Sequence, residues 1–367
     1  MMIPFLDLAA QHSSIGAEVE RAVLDVIRSG NYAANPAVQE FEDAFAAYCG
    51  ARDAVALNAG ISALHLALLA AGIGAGDEVV TVPAAFVTVA AAIIYTGAKP
   101  VFVDIDPETW TMDPSAIEAV LTSATKAIVP VHLHGRLADM GRILQIARRH
   151  RLWVIEEASQ AHGAERNGTA AGTFGDMGCF SFYPGKALWG CGDGGMVVTD
   201  RTDLAETIRC LRDMGQNGRY NHVRHGFNYR MDAVQAAALG AKLRYLDVWG
   251  RARRQIASFY DQAFEGTAIQ RPPWSAAGDH AYQIYAIRIA ERNLIRSRLA
   301  GNGIATGIHY PLPVHLQPAY AGLGYGPGRF PVSEALSAQT LSLPIYPELP
   351  GAAMEQIARA VNEFCRS

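Results

Sequence analysis

Short apolar runs alternate with helix-length stretches through the first two-thirds of the chain, and that alternation leaves few folds open. Asp53–Leu57 and residues 78–82, 100–104, 127–132, 152–156 and 178–182 are such runs, and none shows the strict apolar–polar alternation of a strand with one wet face. Strands buried on both faces read this way, and two buried faces need helices to cover them. The pattern therefore predicts an α/β fold with a mostly parallel central sheet sandwiched by helices. The intervening segments supply the helices: one opens after Asn58-Ala-Gly60 and runs to Leu69, and a buried one lies within residues 84–98. Gly195–Thr199 follows the previous run across a glycine-rich turn too short for a crossover helix, so that pair is expected to be antiparallel. Beyond Met231 the pattern changes. Helical stretches over 232–246 and 251–264, a strand-like 282–289, a helix Arg292–Gly301 and a proline-rich loop over 310–331 predict a smaller unit. The expected division is a large α/β domain over 1–245 and a small C-terminal α+β domain over 246–367.

Composition narrows the functional classes. The chain has 367 residues, half of them hydrophobic and 18% charged, which suits a large packed core. A net charge of −4 with no basic block argues against nucleic acid or a membrane surface as partner. Five cysteines, widely spaced and without a CxxC pair, argue against a disulfide framework or a zinc site. The histidines lack the spacing of a helix-face metal site, so no metal is expected. No signal peptide is apparent and no apolar stretch is long enough to span a bilayer, so a cytoplasmic protein is expected.

In open α/β sheets ligands bind beyond the carboxyl ends of the strands, and polar residues fall at those ends here. They are Asn58-Ala-Gly60-Ile-Ser62, Phe86, Glu157 with Gln160, and Ser181 with Lys186. Gly60, Ile61 and Ser62 open a helix, whose free N–H groups and positive dipole end favour a phosphate. Lys186 sits in the turn Ser181-Phe-Tyr-Pro-Gly-Lys186. A solvated lysine, with a pKa of about 10.4, is a poor nucleophile, but in a desolvated pocket it can deprotonate and form a Schiff base. Taken singly, each residue has a plain structural explanation: Glu156 and Glu157 as a solvated strand end, His132 and His134 as a satisfied buried pair, Phe86 as core. Gly72-Ile-Gly-Ala-Gly76 leads into a strand, not a helix, and fails as a dinucleotide fingerprint. Glu156 and Glu157 should point to opposite faces of their strand and not share a site. Taken together, the aromatic, carboxylate, amide and lysine match what a pyridine aldehyde needs to be stacked, kept protonated, hydrogen-bonded and captured.

These residues and their order resemble the DegT–StrS type sugar aminotransferases, pyridoxal-phosphate enzymes of fold type I. The resemblance runs from Pro4-Phe-Leu-Asp-Leu8 and Gly30-Asn-Tyr32 through Pro130-Val-His-Leu-His-Gly135, Ala138-Asp-Met140 and Ser181–Lys186. It continues through Gly192-Asp-Gly-Gly195, Gly226-Phe-Asn-Tyr-Arg230 and His309-Tyr-Pro311 to Leu341-Ser-Leu-Pro344. It implies pyridoxal 5'-phosphate on Lys186, which would also shuttle a proton between substrate and cofactor. Glu157 would face the pyridine nitrogen, Gln160 the phenolic oxygen and Phe86 the ring. The cup for the phosphate would be Gly60, Ile61, Ser62 and Ser181, with Asn228 reaching it from the second subunit of a homodimer. Tyr183, His309 and Tyr310 would border the sugar. Three positions depart from the family pattern: Glu157 where aspartate is usual, Ala187 where asparagine is usual, and Ile61 where threonine is common. The implied reaction moves an amino group, from L-glutamate, to a keto group of a nucleotide-linked sugar in ping-pong fashion. A free keto-cyclitol or keto-sugar acceptor is the near alternative, and a cofactor-binding regulator without turnover the distant one. A dehydratase is disfavoured because such relatives replace the lysine.

Overall fold

The computed structural model describes residues 2–33, 35–272 and 278–366. Its strands are β1 (Asp53–Leu57), β2 (Glu78–Thr81), β3 (Lys99–Phe102), β4 (Thr125–Ile128), β5 (Trp153–Glu157), β6 (Glu165–Arg166), β7 (Thr169–Ala170), β8 (Met177–Ser181), β9 (Gly195–Thr199), β10 (Tyr285–Arg288) and β11 (Thr340–Leu343). Seven of them form one sheet in the order β1-β9-β8-β5-β4-β2-β3. The pairs from β8 through β3 are parallel, whereas β9 runs antiparallel to both β1 and β8. The glycine turn before β9 thus returns the chain directly into the sheet, as its length requires.

Strand side chains divide between two packed layers. In β1, Val55 and Leu57 enter one core cluster and Ala54 and Ala56 the other; in β9, Val197 goes to the first while Met196 and Val198 go to the second. Period-two alternation between two dry faces explains why these strands read as continuous apolar runs. A third cluster gathers Ile256, Tyr260, Tyr285, Leu341 and Ile357 around the antiparallel pair β10–β11 and the helices Leu246–Ala263, Arg292–Gly301 and Gly351–Arg366. Ile3 joins this cluster too: it bridges Ile304, and its N–H donates to the Gly303 carbonyl at 2.7 Å.

Three features differ from the sequence-based expectation. The helix expected within 84–98 is only Thr88–Tyr95. Pro83 lies just beyond β2, residues 84–87 loop over its carboxyl end, and Gly97 adopts a left-handed φ of 86° that ends the turn after the helix. Nor is that helix wholly buried, since Ile94 and Tyr95 are exposed. Two further helices, Leu8–Ser29 and Pro36–Cys49, open the chain and pack against the helix Ala233–Leu243. The loop 310–331 is not featureless but carries 3-10 turns at Val314–Leu316 and Pro318–Leu323. No helix among the described residues is long and apolar enough to cross a membrane.

Candidate active site

A cavity of about 610 Å³ opens beyond the carboxyl ends of β1, β2, β5 and β8. Gly60, Ile61, Phe86, Glu157, Gln160, Ser181, Tyr183, Lys186, His309 and Tyr310 all line it. Ser62 and Asn228 do not. Ser62 is buried behind the wall with its hydroxyl donating to Asn58 Oδ1 at 2.7 Å, and Asn228 is exposed, bridging to Asp213.

The helix Gly60–Ala70 begins at the cavity wall, and its N-cap residue Ala59 has no side chain to satisfy the first-turn N–H groups. Such a terminus, with its partial positive charge, is suited to an anion. Gly60 is there for space: a Cβ would lie 2.6 Å from Ser181 Cβ. That close approach sets the Ser181 hydroxyl beside the helix end.

Lys186 closes a turn in which its N–H donates to the Tyr183 carbonyl at 3.0 Å, with Gly185 at φ 112°. Its ammonium makes no hydrogen bond among the described residues. Burial pushes its pKa below the ordinary lysine value, and the nearby Glu157 charge only partly offsets this. A lysine so placed is the one cavity-lining amine among the described residues able to attack a carbonyl.

The adjacent carboxylates of β5 have separate roles. Glu156 is fully buried away from the cavity and accepts from the N–H groups of Gly172, Phe174 and Gly175 at 2.9, 2.7 and 2.7 Å. His132 Nδ1 accepts from the Ala138 N–H at 3.1 Å, so its proton sits on Nε2 and is donated to Glu156 at 2.8 Å. Glu157 faces the cavity and, among the described residues, accepts only from the Ser159 N–H, at 3.1 Å. It keeps acceptor capacity for a ligand.

Gln160 is oriented by His134, which in the sequence reads as one of a satisfied buried pair with no role in the site. The His134 backbone N–H donates to Gln160 Oε1 at 2.6 Å, which turns the amide nitrogen toward the cavity and the Tyr310 hydroxyl, 3.3 Å away. The site thus presents a donor at that point. His134 Nε2 in turn donates to the His309 carbonyl at 2.9 Å, and His309 Nδ1 meets Ser342 Oγ at 2.8 Å. Burial pushes both imidazoles down to about 4, so both are neutral at pH 7. Phe86 lies 5.3 Å from the Tyr310 ring and is half exposed to the cavity.

Two wall residues, Arg253 and Gln283, lay outside the sequence-based candidates. Arg253 falls within Arg251-Ala-Arg253-Arg254, which resembles a solvated helix face. The available signal was period: Trp249, Arg253, Ile256 and Tyr260 share the buried stripe of their helix. Among the described residues no cluster of three His, Cys, Asp or Glu side chains could hold a metal ion.

An anion-binding helix end, a depressed-pKa lysine, a free carboxylate and an inward amide donor fit a phosphorylated pyridine aldehyde. The comparisons agree with that chemistry. The model of the DegT/DnrJ/EryC1/StrS aminotransferase family matches residues 13–362. A pleiotropic regulatory protein of Geobacillus stearothermophilus is 42% identical over 369 residues, spanning 100% of this chain and 99% of its own. The dTDP-3-amino-3,4,6-trideoxy-alpha-D-glucose transaminase of Streptomyces venezuelae is 41% identical, spanning 99% and 96%. The X-ray structure of S. venezuelae DesV in complex with a ketimine intermediate superposes with a TM-score of 0.97 at 41% identity, covering 100% of this chain and 99% of that one. The chain belongs to the DegT/DnrJ/EryC1/StrS aminotransferase family.

Proposed function

We propose that this protein is a pyridoxal-phosphate-dependent aminotransferase acting on a keto group of a nucleotide-linked sugar, with L-glutamate as amino donor. The observation that carries the reading is the convergence of Lys186, Glu157 and the Gln160 amide on one cavity beside the uncapped helix Gly60–Ala70. When bound, pyridoxal phosphate supplies an electron sink for the carbon that loses a proton. Lys186 would hold its aldehyde and, once released, move the proton at the amino-bearing carbon. Glu157 would keep the pyridine nitrogen protonated, and the Gln160 amide would donate to the phenolic oxygen. The phosphate would sit at the first turn of Gly60–Ala70 with the Ser181 hydroxyl, and Phe86 would lie along the ring. Tyr183, His309 and Tyr310 line the remaining wall, the place for the sugar. Asn228 is exposed and outside its own cavity, which supports a role across a homodimer interface.

Absorption spectroscopy tests the reading. Protein supplied with pyridoxal phosphate is expected to show a visible band that L-glutamate converts to that of the amine form and that a nucleotide-linked keto-sugar restores. Restoration by a free keto-cyclitol alone would replace the sugar assignment. A band that no amino acid changes would favour a non-catalytic regulator.

The phosphate cup gives a separate prediction. Gly60→Ala is expected to weaken cofactor affinity by about tenfold or more, because overpacking against Ser181 costs about 1–3 kcal/mol unless the helix end moves. Fluorescence titration with pyridoxal phosphate measures it.

A further inference from the structure

Arg253 carries a free edge in a place where a free edge is costly. The residue is 3% exposed and lines the cavity, yet it forms no ion pair among the described residues. Its Nη1 donates to the carbonyls of Ile345 at 2.7 Å and Gln283 at 3.5 Å. Nε is buried without a hydrogen-bond partner among the described residues. The engaged nitrogen is the one away from that side, so the Nε–Nη2 edge, the one that grips two oxygens at once, has no hydrogen-bond partner among the described residues. Glu348, whose Oε2 is likewise buried without a hydrogen-bond partner among the described residues, acts on Arg253 through space without forming an ion pair with it.

Gln283 presents the opposite complement. Its Nε2 donates to the carbonyl of Gly185, the residue before Lys186, at 2.5 Å. That bond fixes which end of the amide is nitrogen, and it leaves Oε1 buried without a partner among the described residues. The same bond ties Gln283, and through its backbone Arg253, to the Lys186 turn. A buried donor or acceptor left unpaired is destabilising, so a ligand that satisfies both is favoured over one that satisfies neither.

A two-point donor edge beside a lone acceptor, next to the reacting lysine, is the complement of an α-amino acid zwitterion. We propose that Arg253 and Gln283 form the amino-donor subsite, Arg253 gripping the α-carboxylate through Nε and Nη2 while Gln283 Oε1 accepts from the donor's ammonium. This rests on the aminotransferase reading above. The keto-sugar offers no paired carboxylate and ammonium, so the subsite separates the two substrates that share one cavity.

The test uses the pyridoxal-phosphate-loaded protein and the variants Arg253→Lys, Arg253→Gln and Gln283→Leu. Each half-reaction is followed separately, with L-glutamate and with the amino-sugar, and binding of the dead-end analogue N-methyl-L-glutamate is measured by calorimetry. The expected result is a graded loss, parent over lysine over glutamine. The ratio of glutamate to amino-sugar kcat/KM should fall at least thirtyfold in Arg253→Gln, and analogue affinity at least tenfold. Equal losses in both half-reactions, or a loss confined to the amino-sugar, would overturn the assignment; so would unchanged analogue binding. A melting scan identifies a variant that fails through misfolding, and the lysine variant, which keeps the charge, then decides. If the parent itself converts no amino acid, the aminotransferase reading fails, and the calorimetric series still decides the subsite.

Discussion

Replacing Lys186 by alanine is expected to lower both half-reactions by at least about 10³-fold, since the variant loses its carbonyl-capturing amine and its proton-transfer group together. The visible band of the loaded protein should be lost or shifted, while far-UV circular dichroism stays the same. The same lysine sets a pH dependence that needs no cofactor. Its folded-state pKa is lowered by burial, so over the window between that value and roughly 10.4 the unfolded chain binds more protons than the folded one. Stability therefore rises with pH through this window. In Lys186→Ala that rise disappears, and below the window the cofactor-free variant should melt above the parent. Thermal melts of both proteins at several pH values check it. Identical pH slopes would mean that the amine is solvated and not poised to react.

The second large effect falls on the neighbouring acid. Glu156→Ala removes the acceptor for three backbone N–H groups and for His132, all in the interior. Orphaning such donors is expected to cost about 3–5 kcal/mol, a large part of the 5–15 kcal/mol that holds a domain folded. The melting temperature should drop by roughly 8 °C or more. Glu157→Ala, which frees a single backbone N–H, should leave melting within a few degrees and instead abolish cofactor-dependent turnover. Equal melting losses in the two variants would refute the division of labour.

That division shows what was legible in the sequence. Strand parity alone separates Glu156 from Glu157, and it holds: one faces a network of N–H donors, the other the cavity. The parallel sheet was legible because strands buried on both sides must be apolar throughout, and the antiparallel β9 because a turn of that length admits no crossover. Strand order was not, since nothing local tells β4 that it lies between β5 and β2. The opening helices lay outside the alternation, although their caps are ordinary: Asp7 and Asn35 at the starts, Gly30 and Gly50 in left-handed conformation at the ends. The buried helix expected within 84–98 is Thr88–Tyr95, with Ile94 and Tyr95 exposed: an apolar run does not mark where a helix ends or which of its residues meet solvent. At the cavity, residues at strand ends were legible because topology brings such ends together. Arg253 and Gln283 arrive from distant segments, and only the packed tertiary structure puts them beside Lys186.

Residues 3–6 have a consequence beyond the chemistry. Ile3 is pinned to Gly303 and Ile304, Phe5 stacks on His309 with centroids 5.6 Å apart, and Leu6 lines the cavity beside Gly185. This segment is thus a tether from the third core cluster to the reaction chamber, holding His309 on one side and the Lys186 turn on the other. Deleting residues 3–6 would remove no catalytic group. It would still loosen the wall against which an acceptor must be aligned, so turnover lost with this segment would report a displaced wall and not a missing chemical group.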